Sequence, residues 1–204
     1  MDPKNETFPK SISKAEINAL PLSRYHGKIH VITTSDAEQL AIEELSNHEV
    51  LGFDTESRPS FKKGQSYPPS LVQLASEDAV YLFQLNKTGN IDALLGILSN
   101  PKIKKVGIAL HDDIKKLGEL APFNPAGVID ISDITKRIGI TNTGLRSLAG
   151  MFLKVRISKG AQVSNWARKH LNSNQLIYAA TDAWASRELY FCLSALESDS
   201  TSRA

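Results

Sequence analysis

The sequence predicts a single α/β domain, on the evidence of its length, its composition and its alternation of strand and helix patterns. A chain of 204 residues forms one domain of ordinary size and leaves no room for a second enzyme. Its 41% hydrophobic and 23% charged residues match globular proteins and exclude a disordered or fibrous chain. From about residue 91 onward, helix and strand patterns alternate as they do in α/β proteins.

The first half of the chain predicts an antiparallel start to the sheet. Short apolar or alternating runs at 29–32, 50–56, 70–75 and 80–85 have the pattern of strands. Only Ser76-Glu77-Asp78-Ala79 separates the last two runs, which is a spacing typical of a hairpin.

Capping boxes mark helix starts at Ser13 and Ser35, because each hydroxyl stands three residues before a glutamate. The second box opens an apolar pattern that predicts a helix over 36–47. Further helices are predicted at 91–98, 112–120, 132–138, 143–152 and 173–196, and further strands at 104–108 and 128–131. Residues 57–69 contain three prolines, a glycine and three basic side chains, which predicts a long exposed loop.

Charge, cysteine content and the chain ends limit the classes of protein that this one can be. We expect residues 1–28 to be a partly flexible N-terminal extension, 29–197 to form the domain and 198–204 to be a flexible tail.

A net charge of +2 is too small to indicate a nucleic-acid partner, so any basic patch must be local. The single cysteine, Cys192, excludes internal disulfides and multi-cysteine zinc sites. Since no apolar run suits a signal peptide or a membrane span, we expect a soluble protein of the cytoplasm or another intracellular compartment.

Two acids stand near the end of the predicted strand 50–56. Side chains two apart on a strand share a face, so Asp54 and Glu56 lie side by side, with Gly52 leaving space next to them. Ligands of open α/β sheets bind at the carboxyl ends of strands. The alternative for such a triplet is a pair of solvated acids without chemistry.

A third acid lies on a stripe of the last predicted helix. The stripe steps by three or four residues and consists of Tyr178, Asp182, Ala185, Leu189, Leu193 and Leu196. A carboxylate on a core-facing stripe must be neutral or paired, because burying it alone costs several kcal/mol. We therefore expect a cationic partner for Asp182; the alternative is a hydrogen bond from Tyr178 with no chemistry.

A fourth acid comes from the pair Asp112-Asp113 at the start of the predicted helix 112–120. Asp113 lines up with Leu117 and Leu120 and faces the core, whereas Asp112 faces outward as a solvated acid or a helix cap.

Four inward acids, Asp54, Glu56, Asp113 and Asp182, raise one another's pKa unless positive charge compensates them. Divalent metal is the natural compensation, and oxygen-only ligands favour Mg²⁺ or Mn²⁺ over Zn²⁺. The nearby His111 is interpreted as a surface or capping group.

The sequence resembles the tyrosine subclass of the DEDD 3′–5′ exonuclease superfamily, related to ribonuclease D and the Werner-syndrome exonuclease domain. The resemblance covers residues 30 to 195 and rests on three motifs in order: Phe53-Asp54-Thr55-Glu56, then Val106-Gly107 through Asp113-Ile114-Lys115-Lys116-Leu117, then Tyr178-Ala179-Ala180-Thr181-Asp182-Ala183. Ser164-Asn165-Trp166 and Asp130-Ile131-Ser132-Asp133 also match strings of this family. The tyrosine four residues before the last aspartate distinguishes the subclass.

The resemblance implies a ribonuclease H-like fold, with a mixed central β-sheet flanked by α-helices, and a metal-dependent 3′–5′ exonuclease. Such an enzyme acts on single strands or recessed 3′ ends of DNA or RNA and releases nucleoside 5′-monophosphates by a two-metal mechanism. It implies that Asp54 bridges both ions, that Glu56 and Asp182 complete one of them, and that Asp113 acts through water on the other.

The resemblance further implies that Tyr178 orients or deprotonates the attacking water and that the backbone near Thr55 contacts the terminal 3′ hydroxyl. Candidate phosphate contacts are Lys62-Lys63, Lys115-Lys116 and Arg168-Lys169-His170, although such groups are commonly solvated and Trp166 is commonly a core residue. The alternatives are a non-catalytic nucleic-acid or protein adaptor with the same fold and a hydrolase of small phosphodiesters.

Overall fold

The computed structural model describes residues 8–62, 64–89 and 91–201, without the side chains of 199–201. The strands are β1 (Leu22–Ser23), β2 (Lys28–Ile32), β3 (Val50–Ser57), β4 (Pro69–Ala75), β5 (Ala79–Gln84), β6 (Lys104–Gly107), β7 (Val128–Asp130) and β8 (Arg156–Ile157). The helices are α1 (Lys14–Ala19), α2 (Ser35–Leu45), α3 (Leu85–Thr88), α4 (Asp92–Ser99), α5 (His111–Leu120), α6 (Ile131–Arg137), α7 (Leu145–Leu148) and α8 (Ser173–Thr201), and a π-helical turn (Ala149–Leu153) follows α7.

Six strands form one mixed sheet in the order β2-β5-β4-β3-β6-β7, and β1 and β8 form a separate parallel pair. β3 lies inside the sheet, antiparallel to β4 and parallel to β6. β4 and β5 form the predicted antiparallel hairpin. The predicted α/β class and mixed sheet are therefore confirmed.

Helices cover both faces of this sheet. On one face, Leu51 and Phe53 of β3 lie in a buried cluster with residues of α2, α4 and α5. On the other face, α8 packs over β4 and β5, where Leu71 and Leu82 are fully buried. Side chains that alternate along β3 therefore point either into the first cluster or toward α8.

Several boundaries differ from the predicted ones. Thr34, not Ser35, caps α2, because its hydroxyl accepts a hydrogen bond from the backbone N–H of Ala37. Leu85, predicted to end a strand, begins α3. The predicted helix 143–152 is divided between α7 and the π-helical turn.

Regular structure is present near both ends of the described part of the chain. Residues 8–28, part of the expected extension, form α1 and β1 and pack on the domain. α8 continues to Thr201 and so includes residues 198–201, which the sequence places in a flexible tail. Residues 1–7 and 202–204 lie outside the described part. Among the described helices, none has the length and apolarity needed to cross a membrane.

Gly52 allows α8 to pass close to β3. A Cβ atom on Gly52 would lie 2.0 Å from the carbonyl oxygen of Ala183 and 3.0 Å from Cβ of Arg187. The sequence predicts open space at Gly52 beside Asp54 and Glu56, but α8 occupies this space. Since Ala183 follows Asp182, this close contact also fixes where Asp182 lies relative to β3.

We expect Gly52→Ala to lower the free energy of unfolding by about 3 kcal/mol, because α8 must move away from β3. Gly118→Ala is the matched control, since a Cβ atom there meets no atom within 4 Å and alanine favours a helix by about 1 kcal/mol. Urea denaturation of both variants measures the difference. Equal stability of the two would refute the close contact.

Candidate active site

Three acids meet at the carboxyl end of β3. Asp54 and Glu56 point from β3 toward α8, and Asp182 points back from α8. Each of the three carboxylates has an oxygen within 4.8 Å of the others. Asp182 is only 7% exposed, and Asp54 and Glu56 are half-buried. The pairing of β3 with β4 also shifts between Glu56 and Ser57, and such bulges are common beside active sites.

The buried stripe of α8 positions Asp182. Ala185, Leu189 and Leu193 are fully buried along this stripe, as predicted. One turn before the aspartate, Tyr178 lies beside Asp182, and the interaction of its hydroxyl with the carboxylate acts to lower the pKa of Asp182. The ring of Tyr178 packs against Trp166, with 5.9 Å between the ring centroids. Trp166 is fully buried and is therefore a core residue that supports Tyr178 from behind.

Asp113 joins the site through Thr55. Asp113 is half-buried and accepts a hydrogen bond from the Thr55 hydroxyl, whereas Asp112 is exposed. This difference is the one that helical geometry predicts. The predicted inward position of Leu120 is wrong, since 42% of this side chain is exposed where α5 ends.

Asp130 fixes the turn that precedes α5. Its carboxylate accepts hydrogen bonds from the backbone N–H groups of Ala109 at 3.0 Å and Leu110 at 2.9 Å. Ala109 has a φ of +58°, a left-handed conformation that costs a non-glycine residue free energy. The two bonds stabilise this turn and so hold α5, with Asp113 on its first turn, next to Thr55.

Burial and mutual repulsion raise the pKa values of the acids. Burial raises the pKa of Asp54 well above its ordinary value, and the charges of Asp182 and Asp113 add to the shift. Burial raises the pKa of Glu56 to about 10, with the charge of Asp54 as the second cause. Burial also raises the pKa of Asp182 to about 7, although the interaction with the Tyr178 hydroxyl opposes the shift.

The cationic partner expected for Asp182 is not a protein side chain. Among the described residues, no lysine, arginine or histidine forms an ion pair with Asp54, Glu56 or Asp182. Burial raises the pKa of Asp113 as well, with the Thr55 hydrogen bond and the charge of Lys116 opposing the shift. The three acids that meet can therefore be neutralised only by protons or by a bound cation.

A cavity of about 280 Å³ opens onto Asp182. Tyr178 and Asp182 line it together with two basic residues, Arg146 and Lys159. These two are not among the phosphate contacts predicted from the sequence. Arg146 has no basic neighbour in the sequence, whereas Lys159 follows Lys154 and Arg156. Their position becomes apparent only when the segment after the π-helical turn is folded against α8.

The basic groups named from the sequence lie at several places. Lys62 lines a second cavity of about 340 Å³ with Arg58 and the exposed Phe61, and Lys63 lies outside the described residues. Lys115 is exposed and Lys116 half-buried on α5, and Arg168, Lys169 and His170 are exposed.

A family model described as 3′-5′ exonuclease matches residues 29–196. The chain belongs to this 3′-5′ exonuclease family. Ribonuclease D of Haemophilus influenzae is 31% identical over 146 residues, which make up 70% of this chain and 36% of that protein. The bifunctional 3′-5′ exonuclease/ATP-dependent helicase WRN of Mus musculus is 29% identical over 181 residues, 84% of this chain and 13% of that protein. The predicted resemblance to both is confirmed.

The fold of this exonuclease-family chain is also that of a solved structure. The EXO domain of Aedes aegypti Nibbler superposes with a TM-score of 0.77 at 24% identity, covering 87% of this chain and 92% of that one. The chain spans less than half the length of this ribonuclease D and of this WRN protein. Members of the family are hydrolases, and the acidic group lies within the matched region.

In metal-free buffer we expect Asp182→Asn to stabilise this exonuclease-family domain at high pH. Folding raises the pKa of the Asp182 carboxyl to about 7. Between its ordinary pKa and this value, the folded chain therefore keeps a proton on Asp182 that the unfolded chain has lost. The wild-type free energy of unfolding therefore falls between about pH 4 and pH 7. Asparagine does not ionise, so the free energy of unfolding of the variant does not fall in this way. At about pH 8 it should exceed that of wild type by roughly 2–4 kcal/mol.

Urea denaturation in the presence of a chelator, at about pH 4.5 and about pH 8, measures this difference. A stability difference that does not change between the two pH values would show that Asp182 is not a desolvated acid.

Proposed function

We propose that this chain is a metal-dependent 3′–5′ exonuclease that releases nucleoside 5′-monophosphates from the 3′ end of DNA or RNA. The observation that carries the proposal is that Asp54, Glu56 and Asp182 meet in a partly buried group, and that no basic side chain of the described residues forms an ion pair with it. Membership of an exonuclease family supports it. An intracellular place of action fits the single cysteine.

The donor set fits Mg²⁺ or Mn²⁺. Carboxylate oxygens are the ligands of these cations, and no histidine or cysteine is in the group. We assign Asp54, Glu56 and Asp182, together with Asp113 at the edge, as ligands of two ions. When bound, such ions act as Lewis acids and as a source of nucleophilic hydroxide.

Tyr178 and Thr55 then have separable roles. Burial and the charge of Asp182 raise the pKa of the Tyr178 hydroxyl, so it keeps its proton and is suited to orient the attacking water. The side chain of Thr55 is held by Asp113. We therefore assign contact with the terminal 3′ hydroxyl to the Thr55 backbone.

Positive charge at the entrance suits a phosphodiester substrate. Arg146 and Lys159 line the cavity that opens onto Asp182 and can contact a phosphate that approaches it. Lys115 of α5 and Lys62 of the loop after β3 are exposed as well and are further candidates for this basic surface. We propose that it receives a single strand or a recessed 3′ end.

The test is digestion of a 5′-labelled oligonucleotide with Mn²⁺, on matched DNA and RNA strands. We expect a ladder of shortened products that a chelator abolishes. Asp54→Asn and Asp113→Asn should lower the rate by about 100-fold or more. Asp112→Asn is the matched control, because Asp112 is exposed beside Asp113, and it should retain most of the activity.

No shortening of either strand would overturn the proposal, and strand binding without cleavage would favour the adaptor alternative. Faster turnover of dinucleotides than of oligonucleotides would instead favour a hydrolase of small phosphodiesters. Equal damage from the Asp112 and Asp113 variants would refute the assignment of Asp113.

A further inference from the structure

Gln73 is a polar side chain in the middle of the sheet that the roles assigned above do not account for. It lies on β4 and is fully buried. Among the described residues, neither its amide nitrogen nor its amide oxygen has a hydrogen-bond partner. Burying an amide without partners costs free energy. Such a group is therefore unfavourable unless a partner becomes available to it.

The register of the sheet places Gln73 beside Asp54. β3 and β4 are antiparallel, and these two residues are direct partners in the pairing. Leu71 and Ala75, two residues to either side of Gln73, belong to the buried cluster beneath α8. Since side chains two apart on a strand share a face, Gln73 points to the same side of the sheet as Asp54. Residues paired in this way have Cβ atoms about 5 Å apart, which brings an amide within reach of a carboxylate.

The surroundings of Gln73 are otherwise largely apolar. Its direct partner on the opposite side, in β5, is Leu82. The part of α8 that lies in the same cluster contributes alanines, namely Ala179, Ala180 and Ala183. Of the two residues directly across from Gln73, Asp54 is therefore the one that can accept a hydrogen bond from the amide.

Asp54 lacks a donor of this kind. Burial raises the pKa of its carboxyl, and among the described residues the backbone of Thr55 is the only group that lowers it. Carboxylates that bind metal are commonly oriented by hydrogen bonds from a second layer of residues. An amide donor opposite Asp54 would supply such a bond.

The indole of Trp166 indicates which end of the amide is available. Its N–H group lies in the same cluster and, among the described residues, also has no partner. An indole N–H can only donate a hydrogen bond, so within this cluster it matches the amide oxygen of Gln73 and not the NH₂ group. The NH₂ group is then left for the carboxylate of Asp54.

We propose that Gln73 is a positioning residue of the metal site, whose NH₂ group donates a hydrogen bond to the Asp54 carboxylate and holds it toward the bound cations. The inference rests on the proposed metal-dependent function and adds the group that orients one of its ligands. A carboxylate offers about four lone pairs, so Asp54 can accept this bond and still bind cations. Gln73 itself contacts neither the cations nor the substrate.

Gln73→Met tests this role, because methionine has a similar length and an unbranched shape but lacks both polar groups. We expect the Kd for Mn²⁺, measured by electron paramagnetic resonance of the free ion, to rise about 10–100-fold. In the presence of a chelator, the free energy of unfolding from urea denaturation should be no lower than that of wild type. The reason is that the amide has no partner to lose in the metal-free chain.

Gln84→Met is the matched control. Gln84 is a buried glutamine of β5, and Leu71 of β4 separates it from Glu56. Its amide already has a partner, since it donates to the carbonyl of Arg168 at 3.2 Å. We expect the opposite result for this variant, with lower stability in chelator because that carbonyl loses its donor, and an unchanged Kd for Mn²⁺.

A second measurement uses the wild-type protein and does not depend on the folding of a variant. It follows the side-chain amide resonances of Gln73 by proton–nitrogen NMR during titration with Mg²⁺, which is diamagnetic. We expect one of the two NH₂ proton resonances to move downfield as the hydrogen bond to Asp54 forms. The amide resonances of Gln84 should stay in place.

If wild type binds Mn²⁺ and Gln73→Met binds it equally well, Gln73 does not position the site, although the proposed metal-dependent function still stands. Amide resonances of Gln73 that do not respond to Mg²⁺ would overturn the inference in the same way. Equal weakening of Mn²⁺ binding by Gln84→Met would show a general effect of packing and would also overturn it. If wild type binds no Mn²⁺, the proposed function itself fails, and this inference fails with it.

Discussion

The close contact between α8 and β3 is the constraint on which the site depends. The acids come from opposite sides of this contact, two from the end of β3 and one from α8. Only a glycine at position 52 lets the helix come near enough, because the carbonyl of Ala183 occupies the place of a side chain. The acidic group therefore exists because two apolar surfaces pack closely just before it.

Bringing the acids together works against folding, and the rest of the structure must offset the cost. Burial and mutual repulsion raise the pKa values of Asp54, Glu56 and Asp182, so their ionised forms destabilise the folded chain. Both faces of the sheet carry extensive buried clusters that oppose this effect. A bound divalent cation would convert the same repulsion into attraction. The arrangement is thus strained without a cation and suited to hold one.

The sequence alone was sufficient for the parts of the site that follow from periodicity. Alternation along β3 placed Asp54 and Glu56 on one face, and the stripe of α8 placed Asp182 inward. Helical spacing also separated Asp113 from Asp112. These predictions succeeded because the side-chain direction follows from the period of each element.

Other parts could not be predicted because they depend on contacts between distant segments. The Thr55–Asp113 hydrogen bond and the turn held by Asp130 join side chains to elements far along the chain. The strands β1 and β8 are two residues long and leave no periodic pattern, so the sequence does not predict them. The sequence predicts open space at Gly52, where α8 in fact lies, because a sequence does not show which helix covers a strand.

The most direct test of the central claim is a titration of the metal-free protein with Mn²⁺, followed by electron paramagnetic resonance of the free ion. The account predicts that one chain binds two ions and that Asp182→Asn loses at least one of them, while Asp112→Asn binds as the wild type does. Absence of binding to wild type, or equal binding by the Asp182 variant, would contradict the claim that α8 and β3 together form a cation site.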